Sequence, residues 1–270
     1  MSITRVVSAL VLIAIVGGTV WWLPPFATVM LASTVAAIGG IELASLVRPL
    51  GVVIAPAFVA LPAAAFCLVL SARFPSAPID PETIVALVIG LTVAAGLVTL
   101  ATADPGPQVF AAMGVMLLAP LYVGLPLGAM AWIRTAHGPA ALIWLVGVIS
   151  VSDSAQYYVG NLFGRHKLSP IVSPKKTVEG AIGGLIAAPV AGAALGLWAF
   201  PELDAAVVAL LALLLAVIGI GGDLFESLLK RSVGAKDSST LIPGHGGVLD
   251  RVDAYLFAAP ACYLFLRYVA

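Results

Sequence analysis

Residues 204–224 read DAAVVALLALLLAVIGIGGDL, with charge only at Asp204 and Asp223. An α-helix needs about 20 apolar residues to cross the hydrocarbon core of a bilayer, and this run is long enough. Runs of the same kind recur along the whole chain of 270 residues, which is 61% hydrophobic and 10% charged with a mean hydropathy of +1.13. Soluble domains carry about 25% charged residues, so the chain reads as a membrane protein. The repetition excludes a lone cleaved signal peptide. Nine spans can be drawn, at about 6–23, 26–47, 51–70, 83–101, 109–132, 140–162, 180–200, 204–224 and 252–269. The first has Arg5 ahead of it and no cleavage site behind it, and reads as a retained helix. Pro56 and Pro62 fall in the third run, where a bend or break is expected. The expected fold is all-α, a polytopic transmembrane helical bundle of about nine helices.

Lys and Arg set the orientation. With the amino terminus cytoplasmic, ten basic residues fall inside: Arg5, Arg48, Arg165, Lys167, Lys175, Lys176, Lys230, Arg231, Lys236 and Arg251. Only Arg73, Arg134 and Arg267 fall outside. This positive-inside bias predicts a cytoplasmic amino terminus and puts loops 163–179 and 225–251 in the cytoplasm. The formal net charge is zero, which removes any bulk electrostatic case for nucleic acid. Cys67 and Cys262 match neither zinc nor disulfide spacing and read as small core residues.

The chain divides into two regions. Residues 1–139 form five amino-terminal transmembrane spans joined by turns such as "SARFPSAPIDPE" and "TADPGPQ", whose Pro and Ser mark loops. Chemistry is sparse there apart from Glu42, beside Gly39 and Gly40. An intramembrane carboxylate is a functional candidate, unless it lies near the inner interface. Residues 140–270 form a carboxy-terminal transmembrane region with both polar loops. In its seventh span Gly180 with Gly184, and Gly192 with Gly196, stand four residues apart, a spacing that lets helix backbones approach closely.

Asp153 lies in the middle of the sixth span, where a carboxylate costs roughly 2.5–3.5 kcal/mol unless it meets water, a cation or a partner. Tyr157 and Gly160, four and seven residues on, share its helix face. The following loop, "GRHKLSPIVSPKKTVEG", offers Arg165, Lys167, Lys175 and Lys176 with the hydroxyls of Ser173 and Thr177, a composition suited to polyphosphate. Topology alone or anionic lipid would also account for a basic loop.

Residues 227–255, SLLKRSVGAKDSSTLIPGHGGVLDRVDAY, hold seven of the twenty-six charged residues. Just ahead, "GIGGDLFES" sets three glycines close to Asp223, leaving room for a substrate to approach the backbone, with Glu226 and Ser227 one turn later. Asp250 and Asp253 are also one turn apart and flank Arg251. Carboxylates supply the hard oxygens magnesium prefers, and that ion is commonly held by one or two of them plus substrate phosphates. Together with the nearby cations they describe a phosphoryl or nucleotidyl transfer site. "PGHGG" is not a P-loop. His245 has no second histidine or cysteine at zinc-ligand spacing and reads as phosphate-contacting or loop-shaping. A transporter with an intramembrane ion pair stays open.

The run Ser227, Lys230, Arg231, Lys236, Asp237, His245, Gly246, Gly247, Asp250, Arg251, Asp253 resembles the signature of the phosphatidate cytidylyltransferases, or CDP-diacylglycerol synthases. "SPKKTVEG" and Asp153 with Tyr157 and Gly160 are also similar to that family, and the likeness runs from about Gly147 to Tyr255. Gln156 after Ala155, Asn161 and Ala254 depart from its usual residues, which bears on substrate preference more than on reaction class. The resemblance implies that phosphatidate and CTP give CDP-diacylglycerol and pyrophosphate, with magnesium and with or without a second cation. It implies catalytic roles for Asp223, Asp250, Lys230, Arg231, Lys236, Asp237, His245, Arg251 and Asp253, the metal falling to Asp223 and Asp250. It implies substrate binding by Asp153, Tyr157, Ser173, Lys175, Lys176, Thr177, Glu179 and Ser227. The expected partners are CTP and phosphatidate in the membrane, a homodimer staying open, and the expected place is the bacterial inner membrane with the active site facing the cytoplasm. A CTP-dependent polyprenol or lipid kinase is the alternative enzyme.

Overall fold

A computed structural model describes residues 3–71 and 81–269. Arg73 and much of the "SARFPSAPIDPE" turn lie outside them. Apart from one small hairpin, the regular structure of the described residues is helical. Its elements are α1 (Ile3–Trp22), α2 (Pro25–Leu46), α3 (Ala57–Ser71), α4 (Pro81–Thr102), α5 (Gln108–Leu118), α6 (Leu125–Phe163), β1 (Lys167–Ser169), β2 (Ser173–Thr177), α7 (Val178–Ala199), α8 (Ala205–Ser232) and α9 (Leu249–Tyr268). A π-helical stretch, Ala119–Gly124, joins α5 to α6. Among the described residues five stretches are long and apolar enough to cross a membrane, and two shorter apolar helices, Val7–Trp22 and Ala57–Ser71, accompany them. Large apolar side chains such as Leu100, Phe110, Leu197 and Leu210 are exposed on the helix faces, as a bundle solvated by lipid requires.

The chain forms two compact units, Met1–Ala136 with Val233–Arg251, and His137–Ser232 with Val252–Ala270. The first change of unit falls where α6 is interrupted at Gly138, whose φ of 86° leaves the helical region just before Pro139. The polar segment after α8 belongs to the first unit.

In the first unit, small residues bring helices together. Gly40 lies against the Val59 carbonyl of α3, and Gly124 and Gly128 lie against the Ala63 and Cys67 carbonyls of the same helix. The third apolar run begins at Gly51, but its helix begins only at Ala57. Pro56, which has no N–H to donate, sits just ahead of the first turn. Pro62 is accommodated within α3. Arg134 is buried and donates from Nε to the Val20 carbonyl at 2.7 Å and from its terminal nitrogen to Leu23 at 3.2 Å. A cation there satisfies carbonyls at the carboxy-terminal end of α1 and complements the helix dipole.

In the second unit the four-residue glycine spacing does what its pattern predicts. Gly180 and Gly184 face the backbone carbonyls of Gln156 and Ser152 on α6, while Gly192 and Gly196 face Ala212 and Val208 on α8. Trp144 donates its indole N–H to the Gly192 carbonyl at 2.9 Å and meets Phe200 edge-on. Cys67 and Cys262 are free and buried within their separate units.

The expected loop 163–179 is a two-stranded antiparallel hairpin, pairing Lys167 with Thr177 and Ser169 with Ser173. The polar stretch expected as loop 225–251 starts as helix, because α8 continues to Ser232. Its 28 residues rise about 42 Å against about 30 Å of hydrocarbon, so a helix entering the core at Ala205 carries its last turns beyond it.

Candidate active site

The second unit gathers charge from four elements. β2 alternates its side chains, leaving Lys175 exposed and turning Lys176 inward. Lys176 Nζ reaches Asp223 Oδ2 on α8 at 2.5 Å, both side chains largely withdrawn from solvent. Ser227, one turn after Asp223, directs its hydroxyl toward Oδ1 from 3.5 Å. Asp153 on α6 lies within electrostatic reach of Lys176, Asp223 and Asp253, and its Oδ1 accepts from Gln156 Nε2 at 3.0 Å.

Glycine sets the approach of α9. A Cβ on Gly222 would lie 2.8 Å from the Asp253 carbonyl and 3.0 Å from Phe257, so only glycine lets these helices meet beside Asp223. Gly219 likewise packs on Ile149. Of the three glycines expected to leave room near Asp223, two serve helix contacts and Gly221 alone has nothing within 4 Å. Asp253 stands within hydrogen-bonding reach of Glu226, which is fully buried (0% exposed) and paired with Lys230 Nζ at 3.2 Å. Lys230, expected on a phosphate, thus has a partner one turn back on its own helix.

Several other expected residues shape the scaffold. The Thr177 hydroxyl accepts from the Gly180 N–H at 3.1 Å and caps α7, with Gly160 and Gly164 making room for its side chain. Glu179 accepts from the Arg165 and His166 N–H groups and bonds His166 Nδ1 at 2.6 Å, which ties the base of the hairpin to α7. Tyr157 is exposed and stacks edge-on against Tyr158 rather than joining the carboxylates. Ser173 starts β2, and Arg231 is exposed in the last turn of α8.

The first unit holds the remainder of the signature: Lys236, Asp237, His245, Asp250 and Arg251. Lys236, Asp237 and Arg251 are exposed. Residues 242–246 form a tight turn in which Ile242 N donates to the Gly246 carbonyl at 2.8 Å and His245 N to the Ile242 carbonyl at 2.9 Å. Gly244 and Gly246 take φ values of 77° and 80°, a region that other residues rarely adopt. Asp250 Oδ2 accepts from Ser238 N and Gly247 N, both at 2.8 Å, and from Ser238 Oγ at 2.9 Å. One oxygen of an aspartate expected on metal therefore holds the loop.

His245 meets α1. Ser8 Oγ donates to the Pro243 carbonyl at 3.2 Å and lies 2.8 Å from His245 Nδ1. The hydroxyl has a single hydrogen for these two partners, and which group donates in the Ser8–His245 bond follows the tautomer of the ring. Glu42 is buried and bonds Ser238, Ser239, Val248 and Leu249. The sequence marks Glu42 as a candidate but gives no partner for it, and nothing local singles out Ser8 or Ser238.

Carboxylates and cations interleaved at the ends of apolar helices suit the handling of a charged, phosphate-bearing substrate at a membrane surface. The family model described as "Cytidylyltransferase family" matches residues 3–269. The chain belongs to the cytidylyltransferase family. Among curated proteins of that kind, it is 40% identical over 159 residues to the "Phosphatidate cytidylyltransferase" of Bacillus subtilis (strain 168), covering 58% of this chain and 59% of the relative. It is 41% identical over 156 residues to the protein of the same name from Synechocystis sp. (strain ATCC 27184 / PCC 6803 / Kazusa), covering 54% and 52%. Over 188 residues it is 39% identical to that of Brucella suis biovar 1 (strain 1330), covering 66% and 65%. The matches thus span between about half and two thirds of these cytidylyltransferases' length.

Proposed function

We propose that this chain is an integral membrane phosphatidate cytidylyltransferase, converting CTP and phosphatidate into CDP-diacylglycerol and pyrophosphate. The observation that carries the reading is the convergence of Asp153, Lys176, Asp223 and Asp253 from α6, β2, α8 and α9 in a chain of this family. The proposal includes nine spans, a cytoplasmic amino terminus, and a site facing the cytoplasm of a bacterial inner membrane.

The reaction needs no protein nucleophile. A phosphatidate oxygen attacks the α-phosphorus of CTP, the α–β bridging P–O bond breaks, and pyrophosphate leaves with the bonding electrons. The chain's task is to bring an anionic lipid and an anionic nucleotide together. Lys175, Lys176, Arg231, Lys236 and Arg251 supply cations for phosphate oxygens. Ser173 and Ser227 supply hydroxyls. Lys230 acts through Glu226, keeping that buried carboxylate compensated beside Asp253. His245, held through Nδ1 by Ser8, leaves Nε2 for a phosphate-bearing substrate, and Asp237 stands in the same loop.

Magnesium is part of the proposal. Among the described residues no three of His, Cys, Asp and Glu form a ligand set. Magnesium does not require one, since one or two carboxylates plus substrate phosphates commonly hold it. Asp223, with Asp153 and Asp253 in electrostatic reach, fits that donor chemistry, and Asp250 is proposed to contribute beyond the oxygen engaged with its loop. When bound, the ion would offset charge on the phosphates.

The test follows the phosphorus. Purified protein receives magnesium, phosphatidate and CTP labelled at the α or the γ position, and lipid is extracted. The α label is expected in lipid and the γ label in aqueous pyrophosphate. Transfer of γ label to a lipid alcohol, with none of the α label, overturns the proposal in favour of a CTP-dependent kinase. No transfer across phosphatidate and polyprenols points to a transporter.

A further inference from the structure

We infer that Glu42, on α2, is a positioning residue that sets the shape of the signature loop more than 190 residues away in sequence. Its carboxylate accepts from Ser239 Oγ at 2.6 Å, Val248 N at 2.9 Å and Leu249 N at 2.8 Å, and lies 3.1 Å from Ser238 Oγ, whose one hydrogen it shares with Asp250. A carboxylate has two oxygens with about four lone-pair sites and no donor, so three full donors and a shared fourth come close to saturating it. Val248 and Leu249 offer backbone N–H groups where α9 begins, and a negative charge is favoured at that end of a helix. This compensates a carboxylate that is only 4% exposed.

The loop is built around that charge. A Cβ on Gly247 would fall 2.6 Å from both Glu42 oxygens and onto the Ser238 hydroxyl. The second glycine of "HGG" thus occupies space that Glu42 denies to any side chain. Ser238 stands between two carboxylates, its hydroxyl within bonding distance of Glu42 Oε2 and Asp250 Oδ2, so Glu42 also fixes the residue that Asp250 grips. Lys236, Asp237 and His245 lie on the loop so held. A glutamine at 42 has the same shape but turns an N–H₂ group toward a set of donors.

The kinetic side of this inference rests on the proposed reaction, whereas the structural side does not. Intact chain, Glu42→Gln, Glu42→Asp and Gly247→Ala are purified in phospholipid nanodiscs. Amide hydrogen exchange is followed across residues 238–250, with residues 178–199 as reference, alongside KM and kcat for CTP and the unfolding midpoint. Glu42→Gln is expected to speed exchange of the Val248 and Leu249 amides about tenfold or more. It is expected to raise KM for CTP about tenfold with kcat changed less than about threefold, because the lost interaction orders a binding loop. Glu42→Asp, which keeps the charge, should recover part of both effects. Should Glu42→Gln fail to fold, Gly247→Ala reaches the same carboxylate from the loop side and should show the same exchange and KM changes. Unchanged exchange in 238–250 overturns the inference, as does a fall in unfolding midpoint with KM and kcat intact. If the unaltered chain consumes no CTP, the proposed reaction fails, and exchange alone still decides the role of Glu42.

Discussion

At the scale of single residues, adjacent lysines have different roles. Lys175 and Lys176 are equivalent in composition, but strand alternation sends one outward and pairs the other with Asp223. A carboxylate left without its cation in a partly withdrawn site is costly, so Asp223 is arranged to keep a positive partner. Asp223→Asn is nearly isosteric but removes the charge that pairs with Lys176 and that the proposed magnesium ion would meet. Turnover in the labelled-CTP assay is expected to fall by about two orders of magnitude or more, with helical content unchanged. Asp104→Asn, in an exposed turn, should stay within about twofold of the unaltered chain. Near-normal turnover by purified Asp223→Asn at ordinary magnesium would remove Asp223 from the chemistry.

Among elements, the close approach of helices positions the charges. Gly222 and the Asp253 carbonyl are in contact, whereas Gly221, one residue earlier, faces open space. These neighbours therefore make a matched pair of substitutions. Gly222→Ala introduces a methyl group into a filled contact, for which about 1–3 kcal/mol of destabilisation is usual, and it moves Asp253 away from Asp223. Gly221→Ala adds the same methyl where nothing opposes it, and the helix gains about 0.5–1 kcal/mol from losing glycine's backbone freedom. Unfolding midpoints should separate in opposite directions, with activity lost chiefly in Gly222→Ala. Equal midpoints would mean that α8 and α9 are not held by this contact. The helical, apolar character and the glycine spacing of α7 were legible in the sequence, because apolar period and small-residue spacing are local patterns. The reach of α8 to Ser232, the hairpin and the inward turn of Lys176 were less so, since each depends on what a neighbouring element offers. Glu42 shows the limit most plainly: a carboxylate beside two glycines says nothing of four partners drawn from a loop near the other end of the chain.

For the whole molecule, the proposal requires both polar segments to share one side of the membrane. Nine spans with a cytoplasmic amino terminus place the hairpin and the signature loop inside, and the turn at 200–204 outside. Buried Arg134 bears on this count: it caps α1, so its position reflects a packing demand, and the outward bias of basic residues is weaker than three positions suggest. Among the described residues, the five stretches long and apolar enough to span and the two shorter apolar helices fit several counts, and each span added or removed moves every loop beyond it across the bilayer. Single cysteines decide the matter at Ile171, which is 89% exposed at the hairpin turn, and at exposed Glu202, in a background lacking Cys67 and Cys262. A membrane-impermeant maleimide applied to intact cells should label Glu202→Cys at once and Ile171→Cys only after permeabilisation. Ser239→Cys, in the loop that Glu42 holds, should behave like Ile171→Cys. Labelling of Ile171→Cys and Ser239→Cys from opposite sides would separate the lysine hairpin from the signature loop by the bilayer, and no single site could then draw on both.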